Sequence, residues 1–146
     1  MTGALAGETM TDPTEPPVPG PSALDPTAVA VVVARAAEAK KGEATVILDV
    51  GPLLGITDRF VITSGTNDRQ VRTIADEIEL QVKKADGRGP LRVEGLDDAR
   101  WVLMDYGDVV VHVFNEEARR YYDLERLWSD ARRVAWEELR REAVEV

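Results

Sequence analysis

The 146-residue sequence contains no cysteine and a single histidine. The absence of thiols excludes disulfides, cysteine nucleophiles and thiolate metal sites, and one imidazole cannot form a multi-histidine metal centre. No apolar run approaches the roughly 18 residues of a membrane-spanning helix, and no basic-then-apolar signal opens the chain. We therefore expect a cytoplasmic protein that has no membrane segment, no metal site and no cofactor.

Positive charge is also scarce, since 18 lysines and arginines stand against 27 aspartates and glutamates, giving a net charge of −9. An extended, non-specific grip on a phosphate backbone needs a basic surface, so we expect no direct nucleic-acid binding. If the protein works beside nucleic acid, its acidic surface is better suited to bind a basic protein there.

Composition divides the chain into three parts. Residues 1–24 are rich in proline and glycine, lack basic residues and show no periodic apolar pattern, which predicts a disordered tail. A ligand for a proline-binding domain is the alternative interpretation of this tail. Residues 25–131 have the apolar periodicity of one folded domain, and residues 132–146 are predicted to form a C-terminal helical extension.

Within the domain, the candidate N-caps Asp25, Asn67 and Asn115 and the apolar periodicity predict alternating helices and strands. The predicted inward stripe of the second helix comprises Val71, Ile74, Ala75, Ile78 and Val82. The predicted helices begin at Pro26, Asp68, Glu116 and Ser129, and the predicted strands are 45–50, 60–64, 91–94 and the two arms of a hairpin. Residues 53–57 are predicted to form a loop. This order of elements predicts a single α/β domain with a mixed β-sheet packed by helices.

The clearest pattern is two apolar runs of six, Trp101–Tyr106 and Val109–Phe114, separated only by Gly107-Asp108. Such runs joined by two turn-forming residues predict a tight β-hairpin, and a glycine first in the turn is typical of type II′. That turn fixes the register, so Trp101 should lie opposite Phe114 and Tyr106 opposite Val109.

Side-chain alternation along the two strands predicts two very different faces. The nearly pure core face carries Val102, Met104, Tyr106, Val109, Val111 and Val113. The mixed face carries Trp101, Leu103, Asp105, Val110, His112 and Phe114. Aromatic side chains beside ionisable groups are typical of a docking surface, and core packing beneath a helix is the alternative.

The turn between the second strand and second helix is a candidate for phosphate chemistry, because helix N-termini attract anions. Ser64-Gly65 lacks the extra glycines and the lysine of a phosphate loop. The nearest carboxylates are Asp105 and Asp108, and the predicted register puts Asp108 in the hairpin turn rather than beside Asp105. A structural turn is favoured, with a nucleotidyltransferase-like enzyme as the alternative.

His112 could act as a general base near neutral pH, but no nucleophile accompanies it in the pattern. A hydrogen-bonded histidine on a half-exposed sheet face is favoured. Glu94, Asp97 and Asp98 could bind a cation, although a solvated acidic loop is favoured.

Five motifs in a fixed order carry a family resemblance over roughly residues 27–131. They are FVITSG at 60–65, QVRTIADEIE at 70–79, EG at 94–95, WVLMDYGDVVVHVF at 101–114 and EEARRYYDLERLWSDA at 116–131. Together they resemble the Iojap-like ribosomal silencing factor family. The resemblance implies a nucleotidyltransferase-like topology without a working catalytic centre, and therefore no enzyme activity.

The same resemblance implies a role in translation. Members of the family bind the large ribosomal subunit through its ribosomal protein fourteen, block association with the small subunit and are homodimers when free. Carried onto this sequence, the partner surface comprises Trp101, Asp105, Tyr106, His112, Phe114, Glu116, Glu117, Arg119 and Arg120. Ser64-Gly65 also matches the family pattern and is assigned to a turn of the fold. A self-associating scaffold that uses the aromatic face as a dimer interface is a further alternative.

Overall fold

The computed structural model describes residues 24–137. Its helices are α1 (Pro26–Ala39), α2 (Gly51–Leu54), α3 (Asp68–Asp86), α4 (Glu116–Tyr122) and α5 (Leu124–Leu127). Its strands are β1 (Glu43–Asp49), β2 (Arg59–Gly65), β3 (Arg92–Glu94), β4 (Trp101–Asp105), β5 (Val109–Asn115) and β6 (Arg132–Val134). The predicted tail lies almost entirely outside the described residues.

The strands form one six-stranded sheet in the order β3-β4-β5-β2-β1-β6. β2 and β5 pair in parallel, whereas the other neighbouring strands pair antiparallel. A sheet with both kinds of pairing, flanked by helices, confirms the predicted mixed α/β domain.

The long helices α1 and α3 lie side by side on one face of the sheet. α3 buries the inward stripe that the sequence predicted, which comprises Val71, Ile74, Ala75, Ile78 and Val82. α1 contributes small side chains, including Val29, Val33 and Ala37, that allow it to pack closely. Fully burying one valine or isoleucine side chain contributes about 1.5–3 kcal/mol, so this layer is a major source of stability.

The three predicted N-caps are confirmed. The Oδ1 atom of Asp25 accepts a hydrogen bond from the amide of Ala28 at 2.8 Å, and the Oδ1 atom of Asn67 accepts one from Gln70 at 2.8 Å. Asn115 starts α4 in the same way, accepting from the amide of Glu117 at 3.0 Å. Each cap satisfies an amide that has no partner within its helix.

The predicted hairpin and its register are also confirmed. Trp101 lies opposite Phe114, and the amide of Tyr106 donates to the carbonyl of Val109 at 2.9 Å. Gly107 has a φ of +90°, which a residue with a side chain rarely adopts. The turn therefore sets which hairpin side chains point towards α1 and α3.

Two local predictions are wrong. Residues 51–54 form the short helix α2, so the first two residues of the loop predicted at 53–57 are helical instead. The last predicted helix does not begin at Ser129, because residues 132–134 form β6 and pair antiparallel with β1. The periodicity of this segment does not reveal a strand, since the partner strand lies more than eighty residues away in the chain.

Pairing of β6 with β1 also brings Trp136 against the sheet. Its indole is buried, and Nε1 donates to the carbonyl of Thr45 at 3.0 Å. The sheet domain therefore extends beyond the predicted boundary at residue 131. The part of the predicted C-terminal helix beyond residue 137 lies outside the described residues.

Candidate partner-binding face

The sheet face opposite α1 and α3 is only partly covered. α4 packs against β5 and β2 on this side, and Trp128 packs against the ring of Phe60 with the centroids 5.6 Å apart. The side chains over β3, β4 and the start of β5 stay at least partly exposed. We call these residues the open face; they are Arg92, Glu94, Trp101, Leu103, Asp105 and Val110.

Trp101 is held in an aromatic cluster at the boundary of the open face. Its ring lies 5.0 Å from that of Phe114 and 4.9 Å from that of Tyr122, measured between centroids. Its Nε1 atom donates a hydrogen bond to Nδ1 of His112 at 3.1 Å. The indole is therefore fixed in place while part of its surface remains accessible to solvent.

His112 lies beneath this cluster and is only 4% exposed. Burial lowers the pKa of its imidazole to about 4, because a charged ring would lose its hydration. The ring is therefore neutral near pH 7, and since Nδ1 accepts from Trp101, Nε2 carries the proton. Within residues 24–137, Nε2 has no hydrogen-bond partner.

Three predicted contact residues are buried rather than placed at the surface. Tyr106 is 1% exposed and points towards α1 and α3, on the face that the register assigns to the core. Phe114 is fully buried beneath the rings of Trp101 and Tyr122, and His112 is also enclosed. Of the predicted hairpin contacts, Trp101 and Asp105 remain partly exposed.

Asp105 is held in a defined orientation at the end of β4. Its Oδ1 atom accepts a hydrogen bond from the amide of Gly107 at 2.8 Å, and its Oδ2 atom lies 3.8 Å from Nη2 of Arg92. Arg92 also pairs with Glu94 at 3.0 Å. Because two carboxylates share one guanidinium, this end of the open face has a net negative charge.

Arg119 was predicted to be a charge at the rim of the interface, and its guanidinium is instead engaged within the domain. Its side chain is 11% exposed. The guanidinium donates to the carbonyls of Glu43 and Ala44, to Ser64 Oγ at 3.1 Å and to Glu125 at 2.8 Å. The hydrogen bond from Arg119 lowers the pKa of Glu125 below its usual range. Arg119 therefore ties α4 to β1 and β2.

The other three predicted charges on α4 lie at the surface. Arg120 is 72% exposed and lies 3.7 Å from Glu116, one helical turn away, and Glu117 is exposed. Sequence reasoning did not select Tyr122, which packs on Trp101 and is half exposed. Its position depends on how α4 crosses the sheet, whereas the alternation of the strands already placed Leu103 and Val110 on this face.

The turn considered for phosphate binding is occupied by the protein's own groups. Ser64 Oγ accepts from Arg119 and donates to the carbonyl of Glu43, and the amide of Thr66 donates to Oε1 of Gln70 at 2.7 Å. Asn67 caps the helix that follows. In residues 24–137 no group of three or more acidic or histidine side chains is arranged to hold a metal ion. The turn thus serves to join β2 to α3.

Within the same part of the chain, no helix is both long enough and apolar enough to cross a membrane. Exposed apolar side chains are spread over several elements, including Leu53 on α2, Leu80 on α3 and Tyr121 on α4.

Comparisons with known proteins identify the family. A family model described as "Ribosomal silencing factor during starvation" matches residues 23–145. A relative from Bacillus subtilis, named ribosomal silencing factor RsfS, is 45% identical over 100 residues, covering 68% of this chain and 84% of the relative. An Arabidopsis thaliana protein named "Protein Iojap-related, mitochondrial" is 36% identical over 75 residues, covering 49% of this chain and 41% of that protein.

The fold is shared with a solved protein as well. A crystal structure of a Chromobacterium violaceum protein superposes with a TM-score of 0.70 at 34% sequence identity, covering 73% of this chain and 88% of that one. The family model spans most of the chain, including the segment after residue 131 that the motifs did not reach. The chain belongs to the ribosomal silencing factor family.

Proposed function

We propose that the protein binds the large ribosomal subunit through ribosomal protein fourteen and prevents the small subunit from joining, which represses translation. The observation that supports this proposal is the open face, where an indole fixed by Phe114, Tyr122 and His112 borders an uncovered, acidic part of the sheet. In protein interfaces, a few aromatic side chains carry most of the binding free energy.

Trp101 is the proposed anchor, with Leu103 and Val110 as its apolar surroundings. Asp105 and Glu94 provide negative charge beside them, and Glu116 and Glu117 provide more at the start of α4. Ribosomal proteins must contact RNA, and a basic partner surface is complementary to these carboxylates. The rim charges should mainly raise the association rate, whereas the indole should slow dissociation.

The proposed mechanism is steric and needs no turnover. A protein docked where the small subunit joins reduces the supply of large subunits that can associate, by mass action. At a free concentration tenfold above Kd, about nine-tenths of the large subunits would be occupied. On this basis the protein is a binding factor of the cytoplasm rather than an enzyme, and we propose that it is a homodimer when free.

The test is co-sedimentation of the purified protein with large subunits, combined with a subunit-association assay on sucrose gradients. A Trp101→Ala, Asp105→Lys double variant should bind about thirtyfold more weakly or worse, because it removes an aromatic anchor and reverses a charge. It should also fail to block association. A thermal melt would confirm that the variant is folded.

A matched control is Leu80→Ala with Asp76→Lys. Both side chains are exposed on α3, the helix that covers the opposite face of the sheet. The changes are of the same chemical kind as in the test variant. This control should bind and block like the parent protein. Equal binding by both double variants would show that the open face is not the docking site.

A further inference from the structure

The hydrogen bond between Trp101 and His112 joins an accessible side chain to a buried one. Trp101 stands opposite Phe114 in the hairpin, and His112 is two residues before Phe114, so the two rings meet diagonally across β4 and β5. Indole Nε1 lies 3.1 Å from imidazole Nδ1. An indole nitrogen can only donate, so Nδ1 must be the acceptor.

The acceptor is itself fixed by its surroundings. The imidazole meets the ring of Phe60 edge-on with the centroids 4.6 Å apart, and stacks near Phe114 at 6.4 Å. These rings belong to neighbouring strands of the sheet, and those strands cannot shift without breaking the hydrogen bonds between them. His112 therefore holds the indole at a fixed position relative to the sheet.

We propose that His112 is a positioning residue for docking: it contacts no partner, and it fixes the indole of Trp101 in the orientation that a docked protein meets. The inference rests on the proposed function, because it assigns a role within the same face. Packing between Phe114 and Tyr122 restrains the indole, and the hydrogen bond fixes which edge of its ring faces His112.

An indole that is already ordered in the free protein does not lose conformational freedom when a partner arrives. Ordering a mobile side chain at an interface weakens affinity by about threefold to tenfold. Loss of the hydrogen bond to His112 should therefore weaken binding by about that factor, without changing any group that contacts the partner.

The first test compares His112→Leu with His112→Asn, two side chains of similar shape. The leucine suits a buried site but cannot accept a hydrogen bond, whereas the asparagine oxygen lies near the place of Nδ1. Large-subunit titration should show a loss of about threefold to tenfold for the leucine variant and a smaller loss for the asparagine variant. A purely structural role for His112 predicts the reverse order, because unmatched amide donors destabilise a buried site.

A double-mutant cycle isolates the hydrogen bond. Trp101→Phe keeps an aromatic ring but has no N–H, so His112→Leu should cause no further loss of affinity in that background. An equal further loss would overturn the proposal, since His112 would then act without the hydrogen bond. If the parent protein itself fails to bind large subunits, the proposed function fails instead.

An NMR measurement keeps the proposal testable if His112→Leu does not fold. In protein labelled with ¹⁵N-tryptophan, Trp101→Phe identifies the indole signal of Trp101. In the parent protein that indole proton should exchange with water more slowly than in a short, unstructured tryptophan peptide, and His112→Asn should retain part of the protection. Exchange as fast as in that peptide would contradict the proposed hydrogen bond.

Discussion

The two faces of the sheet are built from the same strands, yet one is a core and the other a surface. On the covered face, Val102, Met104, Val109 and Val111 are at most 1% exposed beneath α1 and α3. On the open face, their neighbours Leu103, Asp105 and Val110 remain partly exposed. The difference shows that one hairpin can stabilise the fold and present a docking surface, because successive side chains point in opposite directions.

Adjacent valines test this comparison most strongly. Val111→Asp should lower the free energy of unfolding by more than about 4 kcal/mol, because it buries an unpaired carboxylate beneath α1 and α3. Val110→Asp should lower it by roughly 1–2 kcal/mol and mainly weaken large-subunit binding. Urea denaturation measures the first effect and co-sedimentation the second; similar losses of stability at both sites would contradict the division into two faces.

Acid should weaken the aromatic cluster beside the open face. The pKa of His112 is about 4 when folded and near 6.5 when unfolded, so between these values the unfolded chain binds more protons. The free energy of unfolding should therefore fall as pH drops from 6.5 to 4, by about 3 kcal/mol in total at about 1.4 kcal/mol per pH unit.

Urea denaturation at several pH values measures this dependence, and His112→Leu is the control. The variant has no titrating group at this position, so its stability should change much less between pH 6.5 and 5. Carboxylates such as Glu125 remain in both proteins and titrate mainly at lower pH. Parallel curves for parent and variant would show that His112 is not buried as a neutral ring.

Two consecutive arginines on α4 sharpen the comparison further. Arg119→Ala should cost about 2–3 kcal/mol of stability, since it removes the hydrogen bonds from the guanidinium to the Glu43 and Ala44 carbonyls and to the Glu125 carboxylate. Arg120→Ala should change stability by less than about 0.5 kcal/mol, because its side chain is exposed and pairs weakly with Glu116. Thermal melts of the two variants should differ clearly, and matching melts would contradict the tying role of Arg119.

The smallest effect is expected at Tyr106. Its hydroxyl is buried and, among the described residues, has no hydrogen-bond partner. Tyr106→Phe should therefore be neutral or stabilise the protein by up to about 1 kcal/mol, and binding to large subunits should not change. A marked loss of binding would mean that this side chain reaches the partner after all.

Much of the fold followed from local patterns. Asp25, Asn67 and Asn115 were recognisable as caps, and the two residues between the hairpin arms fixed a register that the structure confirms. The last strand could not be found in this way. The segment 132–134 is short and charged, and it is extended because the edge of β1 is available to pair with it.

The candidate site was predicted only in part, for the same reason. Strand alternation put Trp101, Asp105 and His112 on one face, but it did not show how deeply each side chain is buried there. α4 folds back over the end of β5, which buries Phe114 and brings Tyr122 onto Trp101. The internal role of Arg119 was not predictable, because the sequence does not reveal that β1 carbonyls lie within its reach.

The sequence by itself determined which side chains share a face, where the helices with recognisable caps begin and how the hairpin is registered. These properties depend on residues a few positions apart. Only the tertiary structure decided which half of the second face is covered, which charges are used internally and how the indole of Trp101 is held. Those outcomes depend on contacts between elements far apart in the chain, and no local periodicity records them.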